Sequence, residues 1–444
     1  MSELPGHSTQ HKHFVLRRSL VVGVLTLFFS FSIPAVCSAT DNFWNVLKQD
    51  GKALDIMSAN SVAGQLMLIG AKYVEVSWPG DEQPPVQGQL EGEPFLQSVV
   101  RKQLYMMAIA PDEQVVWQNT YPALPDVHEI YSVAANDDQH LCVVYGEQSN
   151  DDESVFDPVL LQLDVHGRIL WAKRNLIAPQ DSKRQVSELP EQIANLDTLR
   201  VTTSPDNGCV LAFVTRSIER QVEKFRLHVI QHSAEGDIQW QRSLDTELYG
   251  KLFLVRNKQA SQYVVVQTNQ SRDAAVRAMM LAVPFVPKTA LIGFDYRGKV
   301  IFQRIAPKDL SQLWVKTVLN TDGESILMAG KTKTAWAGLV NPKGEIKKFT
   351  DKLDDEFTAS AMDADGFLLS RGDHLTLTSN NLDIVSDQAI PEVTKQQYLN
   401  QYLMNRLPEG LPVQQIVPVG NDNFLLLYLL GSKIIKVHFD HIKK

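Results

Sequence analysis

From about residue 52 onward, apolar and polar positions alternate with period two in short runs, and Gly, Asn, Asp and Ser punctuate them. The apolar members are mostly Val, Ile, Leu, Phe and Tyr, which suit a pleated, half-buried surface, so the pattern predicts strands. One phrase recurs: an apolar strand, a turn of Asp or Asn with Gly, a second apolar strand and a large aromatic residue. It reads LLQLDVHGRILW from Leu160 to Trp171, HVIQHSAEGDIQW from His228 to Trp240, LIGFDYRGKVIF from Leu291 to Phe302, and GLVNPKGEIKKF from Gly338 to Phe349. A phrase returning at intervals of about 40 to 70 residues is the mark of a repeat architecture.

The segment before each phrase repeats as well, as two apolar strands joined by a polar turn such as PDNG (Pro205 to Gly208) or TDG (Thr321 to Gly323). Each unit then holds four antiparallel strands, A to D, and the chain predicts an all-β, seven-bladed β-propeller. The blades are placed at Lys52 to Tyr121, His128 to Arg174, Asp197 to Leu244, Gly250 to Ala306, Leu313 to Lys352 and Glu356 to Gln388, with the seventh beginning near Val413. That last blade has only three strands before the chain ends. FWNVLKQ, from Phe43 to Gln49, resembles the fourth strands of other blades and is expected to complete it, closing the ring through an N-terminal strand; the alternative is a short external helix. Pro391 to Leu407 is expected to form a short amphipathic helix between blades 6 and 7, with Leu399, Tyr402, Leu403 and Leu407 on one face.

Trp117, Trp171, Trp240 and Phe302 fall at matching strand D positions, where packing between neighbouring blades is expected. Asp164, Gly167, Gly236, Asp295, Gly298 and Gly344 are expected as turn residues of the same repeat. Phe349 is displaced by one residue, and blades 6 and 7 lack the aromatic. The phrase resembles the repeats of bacterial periplasmic β-propellers, including quinoprotein-like repeats and the outer-membrane assembly lipoprotein propellers, with Asp164, Gly167 and Trp171 the clearest match. That resemblance implies the fold. Quinoprotein dehydrogenases carry a longer Asp-to-Gly interval, eight blades, and adjacent cysteines with calcium ligands; this chain has no Cys-Cys pair, so no dehydrogenase activity and no cofactor is assigned.

Residues 1–39 read as a secretory signal, leaving 40–444 as one propeller domain. Arg17 and Arg18 precede an apolar run from Leu20 to Ile33, too short to span a bilayer, followed by Pro34 and a cleavage site after Ala39. A twin-arginine route and lipidation at Cys37 are alternatives that the flanking residues fit poorly. The expected location is periplasmic or secreted, with no transmembrane span after cleavage. Removing Lys12, Arg17, Arg18 and Glu3 takes the net charge from −8 to about −10, and an acidic chain without a basic stripe argues against nucleic-acid binding. Cys142 and Cys209 remain. An oxidising compartment permits a disulfide, but equivalent positions on neighbouring blades are expected to lie too far apart, which favours two buried thiols.

Tight A–B and C–D turns make one face of the ring plain, whereas the longer B–C and D–A connections gather on the other, where function is expected. The expected role is a noncatalytic protein-binding or assembly module, its partner another envelope or secreted protein, with peripheral membrane contact as a further option. The candidate surface comprises Met279, Met280, Leu281, Phe285 and Val286 within the apolar stretch Ala274 to Pro287, together with Tyr398 and Tyr402. Folding of the apolar stretch back over the ring opening is the structural alternative. A rival reading is an enzyme, either a hydrolase or lyase or a quinone-dependent oxidoreductase, and it requires titratable side chains from several blades to converge at the channel mouth. A solute-binding sensor would instead show an aromatic-lined cavity. Neither a Gly-x-Ser-x-Gly elbow nor a paired Cys and His is present. The Asp363–Gly366 segment and Arg371-Gly372-Asp373 are read as turns, and the acidic cluster at Asn150, Asp151, Asp152, Glu153 and Asp157 as a solvated loop.

Overall fold

The structure is a computed structural model. It describes residues 54–77, 98–124, 127–135, 140–148, 156–174, 176, 189–194, 196–219, 222–270, 287–306, 313–363, 366–390, 397–399, 413–419, 423–428 and 433–438. Blade 1 contains β1 (Leu54–Val62), β2 (Gln65–Ser77), β3 (Ser98–Ile109) and β4 (Val115–Thr120). Blade 2 contains β5 (Val127–Ala135), β6 (His140–Gln148), β7 (Phe156–Asp164) and β8 (Ile169–Lys173). Blade 3 has β9 (Leu189–Ile193), β10 (Arg200–Thr203), β11 (Cys209–Glu219), β12 (Val222–His232) and β13 (Ile238–Thr246). In this blade β9 extends the edge of the long β11 beyond β10. Blade 4 has β14 (Leu252–Asn257), β15 (Gln262–Thr268), β16 (Thr289–Asp295) and β17 (Val300–Ile305), and blade 5 has β18 (Trp314–Asn320), β19 (Ile326–Lys331), β20 (Ala335–Val340) and β21 (Ile346–Leu353). Blade 6 has β22 (Phe357–Asp363), β23 (Gly366–Arg371), β24 (His374–Ser379) and β25 (Ile384–Ala389).

Those six sheets are antiparallel meanders whose main strands pair in chain order. The last sheet is built differently. Its strands are β26 (Gln397–Leu399), β27 (Val413–Pro418), β28 (Asn423–Tyr428) and β29 (Lys433–His438), paired in the order β26-β29-β28-β27. The expected seven-bladed propeller is therefore corrected to six blades of the meander type, followed by this rearranged sheet. The expected helix is corrected too: no α-helix occurs among the described residues, and Gln397–Leu399 pairs with Ile435, Ile434 and Lys433. The free edge of β29 offers unpaired backbone groups, and the local helical period yields to that demand. The fourth described strand of the last sheet is β26; the N-terminal segment Phe43 to Gln49, expected in that place, lies outside the described residues.

Closure is achieved by side chains. The inner strands β1, β5, β10, β14, β18, β22 and β27 neighbour one another in turn, and β27 returns to β1. Across this seam the Ala59 amide donates to Gln415 Oε1 at 3.1 Å, and Gln415 Nε2 donates to the Ala59 carbonyl at 2.5 Å. Leu54, Ile56, Leu68 and Tyr105 of blade 1 share one apolar core with Val417, Leu425 and Leu427 of the last sheet.

Elsewhere the repeated phrase supplies the joints. Asp164 Oδ1 accepts from the amides of His166 and Arg168 at 2.8 and 2.9 Å, which folds the turn and leaves Gly167 at φ 73°. Asp295 and Asn341 make the same pair of contacts, and Ser233 and Ser379 make them through hydroxyls. The glycine also leaves room for its neighbour. A Cβ on Gly167 would lie 2.5 Å from the Trp117 ring, one on Gly298 2.6 Å from Trp240, and one on Gly344 2.5 Å from Phe302. At Gly236 the nearest Trp171 atoms would be 3.0 Å away. Each indole then donates to the turn beside its glycine: Trp117 to Val165 O at 3.0 Å, Trp171 to Ala234 O at 3.0 Å, and Trp240 to Tyr296 O at 3.1 Å. Aromatic and glycine are thus one device divided between consecutive blades. In blade 6 the glycine position holds Leu382, with φ 66°, whose buried side chain joins the core between blades 5 and 6.

One further correction concerns the cysteines. Cys142 on β6 and Cys209 on β11 form a disulfide, with Cα atoms 5.9 Å apart. Both sit on second strands from the axis, where neighbouring blades converge, and both belong to the core between blades 2 and 3. Near the axis, positions on neighbouring blades expected to lie too far apart come within bonding reach, so the expected pair of buried thiols is replaced by a disulfide.

Candidate functional site

Charged residues gather where the inner strands begin, on the side of the ring reached by the D–A connections. Glu129 is the third residue of β5, Arg200 opens β10 just after Asp197, Lys251 precedes β14, Lys316 is the third residue of β18, and Glu356 precedes β22. These positions are close to one another only around the ring axis, since they come from blades 2 to 6. Asp55, second in β1, lies at the same end of its strand.

Arg200 Nη1 donates to the carbonyls of Leu199 and Tyr131, at 2.6 and 3.2 Å. Loss of hydration lowers its pKa, opposed by the nearby charges of Asp197 and Glu129. The Glu129 carboxyl is raised, first by burial and then by Asp197, against the pull of Arg200. Burial also raises the Tyr131 hydroxyl, reinforced by Glu129 and Asp197. On the other side, Lys316 Nζ lies 3.3 Å from Glu356, and each side chain keeps 32% of its surface exposed. Lys251 stands between these two groups. Its ammonium is pushed down to about 8, chiefly by burial and then by Arg200 and Lys316, while Asp197 and Glu356 oppose the shift. The ammonium lies 5.6 Å from the centre of the Phe253 ring.

The half-buried Lys251, Phe253 and Val255 alternate with the buried Leu252 and Leu254. The latter pair packs with blade 3, whereas Phe253 and Val255 pack toward blade 5. Strand alternation therefore holds Lys251 on the side facing Lys316 and Glu356. Below them Thr317 Oγ1 and Ser360 Oγ are 2.8 Å apart, joining blades 5 and 6.

This arrangement can hold an anion by charge and hydrogen bonding. Among the described residues no group of three or more His, Cys, Asp or Glu side chains is placed to hold a metal ion, and no helix is long and apolar enough to cross a membrane. Asp55 has a different environment. It is 7% exposed, its Oδ1 has no hydrogen-bond partner, and burial raises its carboxyl to about 6 against the opposing charge of Lys102.

Of the residues read from the sequence as a surface, Met279, Met280, Leu281, Phe285, Val286 and Tyr402 lie outside the described residues, and Tyr398 is described only as backbone in β26. The stem from which 271–286 departs is pinned: the Lys288 amide donates to Asn269 Oδ1 at 2.7 Å, and the Asn269 amide to Lys288 O at 3.2 Å. Asn150, Asp151, Asp152 and Glu153 are likewise outside the described residues. In Arg371-Gly372-Asp373 the arginine is 11% exposed and paired with Asp387 and Asp355 at 2.5 and 3.6 Å, while Gly372 turns the β23–β24 hairpin at φ 52°.

No protein-family model matches the chain, and no curated protein matches it. Solved structures similar to it are of low identity. A Bacteroides caccae protein of unknown function is 14% identical over 73% of this chain and 78% of its own, with TM-score 0.30. BBS1N, solved in complex with ARL6DN, is 11% identical over 88% and 95%, with TM-score 0.41. Quinohemoprotein alcohol dehydrogenase from Comamonas testosteroni is 11% identical over 85% and 54%, with TM-score 0.34.

Proposed function

We propose that the protein is an exported, noncatalytic β-propeller that binds another envelope or secreted protein through the face carrying the D–A and B–C connections. The observation that carries this reading is the charged cluster of Glu129, Asp197, Arg200, Lys251, Lys316 and Glu356 at the start of five inner strands. Its charges largely compensate one another within a rigid ring, which suits recognition of a complementary surface. In sequence the apolar segment from Ala274 to Pro287 falls in the B–C connection of blade 4, between β15 and β16.

Convergence of titratable groups from several blades is also what an enzyme at this position requires, and the lowered Lys251 ammonium favours that second reading. Binding is preferred because Glu356 is paired with Lys316 and, among the described residues, no nucleophile and base stand paired within the cluster. Affinity capture from envelope extract tests the choice. The doubly substituted Lys251→Gln, Lys316→Gln protein should lose partners that the wild type retains, whereas substitution of Lys299 and Lys343 on the opposite turns should lose none. Equal capture by all three proteins would remove this face as the interface.

A further inference from the structure

We infer that Lys251 is the centre of a seat for a carboxylate ligand at the axial mouth of the ring, flanked by Arg200 and Lys316 and floored by Phe253. The inference deepens the binding role proposed above and rests on that face being the functional one. Its basis is the distribution of partners. Arg200 is bound by two backbone carbonyls and sits beside Asp197 and Glu129, and Lys316 is paired with Glu356. Among the described residues Lys251 has no carboxylate at ion-pair distance, and its ammonium rests against an aromatic ring. Two partnered cations, from blades 3 and 5, therefore flank one from blade 4 that has no carboxylate at ion-pair distance among the described residues.

The surrounding acids select the ligand's charge. Asp197 and Glu356 act on Lys251 from opposite sides, and Glu129 lies behind Arg200. A dianion such as hydrogen phosphate doubles both its attraction to the three cations and its repulsion from these carboxylates, but gives up roughly four times the hydration free energy of a monoanion on entering a partly buried site, so a carboxylate is the better match. The partial burial that depresses the Lys251 ammonium also removes the water that would otherwise screen the contact, so binding an anion restores the favourable state of the lysine. Phe253 and Val255 continue inward from Lys251 along the same face, and they offer apolar contact to the carbon atoms attached to the carboxylate.

The test uses the full chain and lysine acylation read by mass spectrometry, with acetate, phosphate and chloride compared at equal ionic strength. Acetate should slow acylation of Lys251 several-fold and leave the exposed Lys299 and Lys343 unchanged; phosphate and chloride should not protect. A short peptide with a free C-terminal carboxylate should protect where its amidated twin does not. Tighter protection by the peptide than by acetate assigns the seat to a chain end, and equal protection assigns it to small organic acids. Unchanged acylation of Lys251 in acetate and in the free peptide, or protection by phosphate equal to that by acetate, would overturn the seat. Acetate should also raise the melting temperature of the wild type and of Lys251→Arg, and leave Lys251→Gln unaffected. If Lys251→Gln does not fold, the wild-type labelling decides alone. Protection without partner capture would sink the protein-binding reading and leave the seat standing, and capture without protection would do the reverse.

Discussion

Asp55 shows how a single residue can oppose the fold that contains it. Its carboxyl is raised to about 6, so between the ordinary carboxylate range and that value the folded chain holds a proton that the unfolded chain has released. Folding stability attributable to Asp55 therefore falls as pH rises from about 4 to 6 and stays lost above it. Replacement by Asn removes the ionisation and keeps the shape. The Asp55→Asn protein should equal or trail the wild type at pH 4 and exceed it by about 2–3 kcal/mol at pH 7, on a scale of about 1.4 kcal/mol per pKa unit. Urea unfolding at the two pH values measures this directly; a difference independent of pH would show that the carboxyl titrates normally. Destabilisation retained at a neutral-pH site marks a residue worth testing in partner capture as well.

The shared aromatic-and-glycine joint explains both the regularity of the elements and its decay along the chain. Gly64 and Gly298 both have positive φ, at 73° and 77°, but a Cβ on Gly64 meets nothing within 4 Å, whereas one on Gly298 meets the Trp240 ring at 2.6 Å. Gly64→Ala should cost about 1 kcal/mol for backbone strain alone, and Gly298→Ala about 2–4 kcal/mol because strain and overpacking combine. Equal losses in urea titrations would mean that the indole moves aside freely. The disulfide between Cys142 and Cys209 joins blades 2 and 3 at a separation of 67 residues, and its removal by paired Ala substitution should cost about 4 kcal/mol by loop-closure entropy. Comparison of reduced and oxidised wild type by the same titration checks that figure. The phrase from Leu160 to Trp171 and its copies were legible because one chemistry, a turn that needs Asp and Gly, sits beside another that needs an aromatic. Blade 6 was harder to read because Leu382 does both tasks with an ordinary apolar side chain, and β26 was misread because its three residues pair with an edge that lies far along the chain. The cluster around Lys251 left no local motif, since each blade contributes only one or two residues. In the inner-strand starts KLFLV, WVKTV and EFTAS the charges of Lys251 and Glu356 fall just before the first strand residue and that of Lys316 at the third, so no fixed position marks them.

At the scale of the whole molecule, the ring is a series of joints of unequal kind, and its weakest joint is identifiable. The seams from blade 1 to blade 5 each hold a buried or half-buried aromatic against a glycine turn. The seam between the last sheet and blade 1 has a different turn, where Glu113 stands at the glycine position with φ 69°, and a cavity of about 90 Å³ lined by Ile109, Pro111, Glu113, Val419 and Leu425. Its polar links among the described residues centre on the Gln415 amide, which meets the backbone of Ala59 and the Ser58 hydroxyl, and cavity surface forfeits dispersion contacts that a docked ring would supply. Sub-global opening should therefore begin there, with β1 separating from β27 while the disulfide-linked blades 2 and 3 remain closed. Native-state hydrogen exchange should show lower protection for the amides of β1, β27 and β28 than for β6, β11 and β15. Gln415→Ala should widen that gap by about 1–3 kcal/mol in the last sheet and β1, because it leaves two buried backbone groups of Ala59 without their partner, and should leave β11 and β15 unchanged. Uniform protection around the ring, or a Gln415→Ala effect spread evenly over all blades, would show instead that the ring opens as one cooperative unit.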